Sequence, residues 1–171
     1  MSTVQIEFYG DPCRACGYRW TEPVDALVAE VLVLDDTFRS SLRGLPGTAR
    51  HPELVWCASA YVLHVADNLR IHGERMAATC SGVSFEFVPA DQDELAEVRS
   101  YANVPLEGAL WSLRSVLVPY VEIFREADAL GVVLPHPTRG PQLAADVLRG
   151  NVHDAHHHGW DLRRIARANL E

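Results

Sequence analysis

The chain has 171 residues, 48% of them hydrophobic, and a formal net charge of −8 at pH 7. That length suits one domain with a sizeable core. The acidic balance excludes the basic footprint from which nucleic-acid binding draws most of its affinity. No apolar run approaches the ~18 residues of a membrane span. The opening Met1-Ser2-Thr3-Val4-Gln5 lacks the basic-then-apolar pattern of a signal peptide. A cytoplasmic protein without membrane or nucleic-acid partners is expected. All fifteen basic residues are arginine, which gives fixed planar cations and no amine nucleophile. In a cytosolic chain Cys13, Cys16, Cys57 and Cys80 are expected as thiols or metal ligands rather than disulfides.

In chain order, T-V-Q-I-E-F-Y over residues 3–9 alternates apolar and polar side chains and predicts a short strand. A turn follows with P-C-R-A-C-G-Y-R-W, which holds the Cys13-x-x-Cys16 pair. Thr21 is a suitable N-cap for an amphipathic helix running to about Leu42; Gly44, Pro46 and Gly47 end it. A second helix is predicted from about Pro52 to Ala78, broken by Ser81-Gly82. S-F-E-F-V over 84–88 alternates again as a second short strand. Asp91 caps a short helical stretch to about Tyr101, and Pro105 opens a third long helix in which Pro119 predicts a kink. Residues 131–141 read as a proline-rich loop, and a fourth helix runs from about Pro141 to Asn169. The expected architecture is all-α: a four-helix bundle over 21–171, preceded by a Cys-x-x-Cys segment over 1–20, in one globular unit.

The run H-D-A-H-H-H-G-W-D over 153–161 holds four of the chain's eight histidines. At about 100° per residue, with His153 at 0°, the apolar Val147, Leu148, Ala155, Leu162 and Ile165 fall between about 120° and 220°. Asp154 and His158 lie at the edge of that core arc, near 100° and 140°. His153 and His157 lie on the opposite side and are expected to face outward, with His156 at the surface. On the second helix His64 sits inside an apolar stripe with Cys57, Ala60, Tyr61, Val65 and Ile71. A buried imidazole needs a partner. His64, Asp154 and His158 would form a two-histidine, one-carboxylate set that suits zinc, nickel or ferrous iron with open positions. The plainer alternatives are a hydrogen-bonded core histidine and an exposed charged helix face. Asp161 is placed to accept from an outer imidazole nitrogen, and His72 to line a pocket. His51 and His136, beside prolines in loops, receive no role.

Three segments in order, W-C-A-S-A-Y-V-L-H-V-A-D, D-Q-D-E-L-A-E-V-R-S-Y-A and V-H-D-A-H-H-H-G-W-D-L, resemble the DinB-like superfamily of metal-binding four-helix bundles and the related mycothiol-dependent maleylpyruvate isomerases. The resemblance covers roughly residues 22–170. It implies a divalent metal on three side chains. Asp154-x-x-x-His158-Gly159-Trp160-Asp161 is similar to the isomerase branch's Glu-x-x-x-His-Gly-Trp-Asp, with Asp in place of Glu and so one methylene shorter. Other branches carry His-x-x-x-His, which would map onto His153 and His157. The resemblance implies a metal-dependent enzyme acting on a small molecule, by thiol-dependent transfer or isomerisation with mycothiol as co-substrate or by hydrolysis, with Asp161 and His72 orienting ligands or moving protons. The alternative is a non-catalytic metal-binding stress or sensor protein. Homodimerisation is common among such bundles.

The N-terminal P-C-R-A-C-G-Y-R-W resembles a zinc knuckle. Cys13 and Cys16 supply two of the four ligands a closed zinc site needs, so Cys57, Cys80 or a histidine would have to complete it. A redox pair or two free thiols are the alternatives.

Overall fold

The computed structural model describes residues 3–83 and 91–170; the strand expected over 84–88 lies outside them. Seven helices are described: α1 (Thr3–Tyr9), α2 (Val24–Leu32), α3 (Leu34–Ser41), α4 (Ala58–Cys80), α5 (Gln92–Val98), α6 (Leu106–Ala129) and α7 (Ala144–Leu170). A 3₁₀ turn over Tyr101–Asn103 leads into α6. Strands β1 (Val133–Leu134) and β2 (Gln142–Leu143) pair antiparallel, with Val133 opposite Leu143.

The bundle is built from α2–α3, α4, α6 and α7, with α4 and α6 in the most extensive contact and α7 closing against α4, α3, α2 and α6. The first long helix breaks at Val33, whose backbone (φ −109°, ψ 8°) leaves helical geometry. Asp35 and Asp36 then stand in the first turn of α3, where carboxylates complement the positive end of a new helix. Asp91 caps α5, its Oδ1 accepting from the Asp93 and Glu94 amides.

Besides that break in the helix expected to run to about Leu42, three further expectations are corrected. Residues 3–9 are helical, not extended. Alternation over seven residues does not by itself separate helix from strand, and a helix satisfies its backbone internally. Ile6 and Tyr9, three apart, pack on the core while Phe8 stays exposed. Second, α4 begins at Ala58 rather than Pro52. The chain before it doubles back, so that the Ala49 and Gly47 carbonyls take the Ala58 and Ser59 amides (2.9 and 3.0 Å). Third, the loop over 131–141 contributes β1, and α7 starts at Ala144.

That doubled-back loop depends on Gly47. A Cβ there would stand 2.1 Å from Ser59 Oγ and 3.0 Å from the Leu106 amide nitrogen, and Ser59 is fully buried. Gly47→Ala is therefore expected to destabilise the protein by about 1–3 kcal/mol. Adding Ser59→Gly should recover part of that loss. Thermal melts of the single and double variants test this, and a Gly47→Ala variant as stable as the parent would contradict it.

Candidate metal centre

α4 and α7 bring His64, Asp154 and His158 together, each offering a ligand atom within 4.8 Å of the others. His64 is 8% exposed. Its Nε2 lies 3.4 Å from Asp154 Oδ2, and His158 Nε2 lies 3.5 Å from Asp154 Oδ1. Asn68, one helical turn beyond His64, donates through Nδ2 to Asp154 Oδ2 (2.9 Å). His158 Nδ1 faces Asp161 Oδ2 at 3.1 Å, which orients the ring and leaves Nε2 for the centre. On another face of α7, Gly159 packs against α3, where a Cβ would stand 3.3 Å from Phe38.

The donor set fits a divalent cation. His64 Nε2 is buried and makes no hydrogen bond, although it faces Asp154 Oδ2 at 3.4 Å; an ion held between the two would satisfy both. Burial would raise the Asp154 carboxyl, but the imidazoles, His158 first, hold it well below the usual carboxylate range. Burial lowers His158, yet Asp154 and then Asp161 outweigh it and lift it to about 9. A divalent ion bound here would displace that proton.

A cavity of about 400 Å³ opens beside the centre, with His64 and Asp154 in its wall together with Tyr9, Asn68, His72, Arg75, His136 and Arg139. His72 lies on this wall, its Nδ1 2.9 Å from the Asn68 carbonyl oxygen; Nδ1 therefore carries the proton and Nε2 is an acceptor. His136, given no role from sequence, also lies on the wall, and its Nδ1 accepts from the Arg139 amide. No pattern signal marked His136, Arg139 or Tyr9, because they come from segments outside the long helices.

Burial, with Arg75 and Arg139 nearby, lowers His72 from 6.5 to about 4, against the pull of the Asn68 carbonyl and Asp154. A histidine with a depressed folded-state pKa stabilises the fold above its unfolded value, and that contribution is lost as pH falls toward the folded one. Between pH 6.5 and 4 the loss is at most about 3 kcal/mol. His72→Gln should flatten this part of the acid limb in denaturant titrations at stepped pH. An unchanged limb would show that His72 ionises freely.

The outward placement expected for His153 and His157 is corrected. His153 is 5% exposed, and His157 and His156 are half-buried. The reason lies outside the bundle: α1 and the cysteine turn cover this face of α7. Tyr9, Tyr18 and Trp20 surround the His153 ring at centroid distances of 4.6, 5.3 and 4.5 Å. His156 faces Glu30 Oε1 at 3.0 Å and the Cys16 carbonyl at 3.3 Å. Cys13, Cys16, His153 and His157 form a second group with ligand atoms within 4.8 Å of one another. Cys57 lies at the start of α4 and Cys80 at its end, outside both groups. Burial raises Cys13, but the Cys16 and Ala15 amides and the Cys16 thiol hold it below its ordinary value. Cys16 is pushed up to about 11, by burial first and then by Cys13.

Fold and sites together define a helical bundle with a two-histidine, one-carboxylate constellation at a cavity. No family model matches the chain, and no curated protein matches it. Among solved structures it is similar to YfiT from Bacillus subtilis, described as a probable metal-dependent hydrolase with an unusual four-helix bundle topology. The TM-score is 0.72 over 84% of this chain and 86% of that one, at 15% identity. The likeness establishes the shared four-helix fold and leaves the chemistry to this chain's own residues. No helix among the described residues is long and apolar enough to cross a membrane.

Proposed function

We propose that this protein is a metal-dependent enzyme acting on a small molecule in the cavity beside His64 and Asp154, with hydrolysis as the reaction class. The observation that carries the reading is the convergence of His64, Asp154 and His158, with His64 Nε2 buried without a hydrogen bond and facing Asp154 Oδ2 at 3.4 Å, at the wall of a cavity of about 400 Å³. YfiT's description as a probable metal-dependent hydrolase favours hydrolysis over the other chemistries of the class. His64, Asp154 and His158 would hold the ion, zinc by its donor set, with nickel or iron as alternatives. The bound ion supplies Lewis acidity, which polarises a carbonyl and acidifies a water or thiol.

The chain's own residues do the rest. Asn68 fixes Asp154, and Asp161 fixes His158, so the two α7 ligands are held from opposite sides. His72, neutral at pH 7, presents an acceptor nitrogen to a substrate proton. Arg75 and Arg139 place two guanidinium groups in the cavity wall, which favours an anionic or strongly polar substrate. A thiol-dependent transfer with mycothiol uses the same ligand set and is the second reading, since a thiol sulfur suits the ion as well as water does.

Metal-stripped protein reloaded with zinc, nickel or ferrous iron should hydrolyse an ester or amide panel, and His64→Ala should abolish the activity. Conjugation of a low-molecular-weight thiol in place of hydrolysis would select the second reading. Activity that survives both chelation and His64→Ala would refute the metal-dependent one.

A further inference from the structure

We propose that Cys13, Cys16, His153 and His157 bind one zinc ion as a closed structural clamp that fastens the N-terminal segment to α7. The clamp is separate from the centre at His64 and does not depend on the reaction assigned to it.

Four features carry the assignment. First, the four side chains come from two elements far apart in sequence, and their ligand atoms lie within 4.8 Å of one another. A tetrahedral zinc with bonds of about 2.0–2.3 Å places its ligands about 3.3–3.8 Å apart, so a small contraction completes the sphere. Second, the spacings are those of structural zinc sites: Cys-x₂-Cys on a turn and His-x₃-His on a helix. Third, the turn has a knuckle's backbone. Gly17 adopts φ +80°, and its amide donates to the Cys13 carbonyl (2.9 Å) while the Cys13 amide donates to the Tyr18 carbonyl (2.7 Å). Fourth, His153 Nε2 and His157 Nδ1 are buried without hydrogen-bond partners. With aromatic rings around His153, water has little access to satisfy them, and a metal ion would.

Charge favours the same conclusion. Two thiols release their protons to solvent on binding, and two thiolates then neutralise a divalent cation. The filled site is electroneutral, as a site packed among Tyr9 and Trp20 should be. Soft sulfur and imidazole donors select zinc over calcium or magnesium. All four positions are protein ligands, which leaves none for substrate and makes the site structural. α7 thus serves two groups: His153 and His157 meet the cysteine turn while Asp154 and His158 meet His64. Since Tyr9 stands between the cysteine turn and the cavity wall, the clamp also holds part of that wall.

The test uses the full chain without a tag. The double variant His64→Ala/His158→Ala disables the cavity centre and should still retain about one zinc per chain after desalting. Its cobalt-substituted form should show thiolate-to-cobalt charge-transfer absorption and intense tetrahedral bands. Cys13→Ser/Cys16→Ser should lose that charge-transfer absorption and one metal equivalent while keeping the ion at His64. A cobalt spectrum without thiolate ligation in the first variant, or one unchanged in the second, overturns the proposal. Should either variant fold poorly, zinc-edge X-ray absorption of the wild-type protein decides: sulfur at about 2.3 Å is required, and oxygen and nitrogen scatterers alone overturn it.

Discussion

His158→Ala is expected to empty the His64–Asp154–His158 centre and to weaken its metal affinity by more than about 100-fold. Loss of an outer-shell partner alone typically costs about 10–100-fold, and this change removes a ligand together with the Asp161 contact that aligns it. It also leaves Asp154 and Asp161 without the imidazole that lies between them. Asp161→Asn removes only the orienting carboxylate and should fall within about 10–100-fold. Asp154→Glu lengthens the side chain by one methylene and should keep the metal. His153→Ala should leave affinity at this centre intact, because its ring stands among Tyr9, Tyr18 and Trp20 rather than beside His64. Metal titration of the four variants against a competing chelator reads these differences. Equal losses in His153→Ala and His158→Ala would mean that the centre has been drawn around the wrong imidazoles.

Asp67→Ala should destabilise the protein strongly although it removes only a small side chain. Asp67 is 2% exposed, yet it accepts from Arg70, Arg99 and the buried Tyr101 hydroxyl. The carboxylate therefore ties α4 to the 3₁₀ turn and to the end of α5, and both arginines point their charge at it. Burial and then Asp67 push the Tyr101 hydroxyl's pKa up, which keeps it a donor. Removing the acid leaves the buried Tyr101 hydroxyl without its acceptor and takes the carboxylate from two partly exposed arginines, of which Arg70 still reaches Ser112 Oγ. Stranding the buried hydroxyl costs about 1–3 kcal/mol and each partly exposed ion pair at most about 1 kcal/mol, together about 2–5 kcal/mol, which corresponds to a melting-point drop of about 4–20 °C in a domain of this size. Tyr101→Phe removes one hydrogen bond to a charged group and should cost about 1.5–3 kcal/mol. Calorimetry ranks the two; a Tyr101→Phe loss equal to that of Asp67→Ala would place the whole effect in the hydroxyl and none in the arginines.

Helical periodicity made the architecture legible because a bundle is written locally: apolar residues at turns of about 3.6 define each rod and its buried face. The same arithmetic separated Asp154 and His158 from His153 and His157, and the two pairs do sit on different sides of α7. It failed on what lies opposite the second pair. Phase can tell that a face turns away from the bundle core; it cannot tell that another segment will cover that face. The ligand spacings Cys-x₂-Cys and His-x₃-His were both visible. Cys13 and Cys16 stand near one end of the chain, however, and His153 and His157 near the other, and nothing local joins them. The strand expected over residues 3–9 failed for a related reason. Alternation over seven residues fits either structure, and packing of Ile6 and Tyr9 on the core decided for a helix.

By itself the sequence determined the helical rods, their inward faces, the acid–imidazole pair on α7 and the imidazole on α4, because each follows from spacing within one element. Only the tertiary structure decided that the cysteine turn meets His153 and His157, that Arg139 and His136 close a cavity over Asp154, and that Asp67 anchors two arginines. Those arrangements depend on where loops and an N-terminal segment come to rest, which is settled by long-range packing and burial rather than by any periodic pattern along the chain.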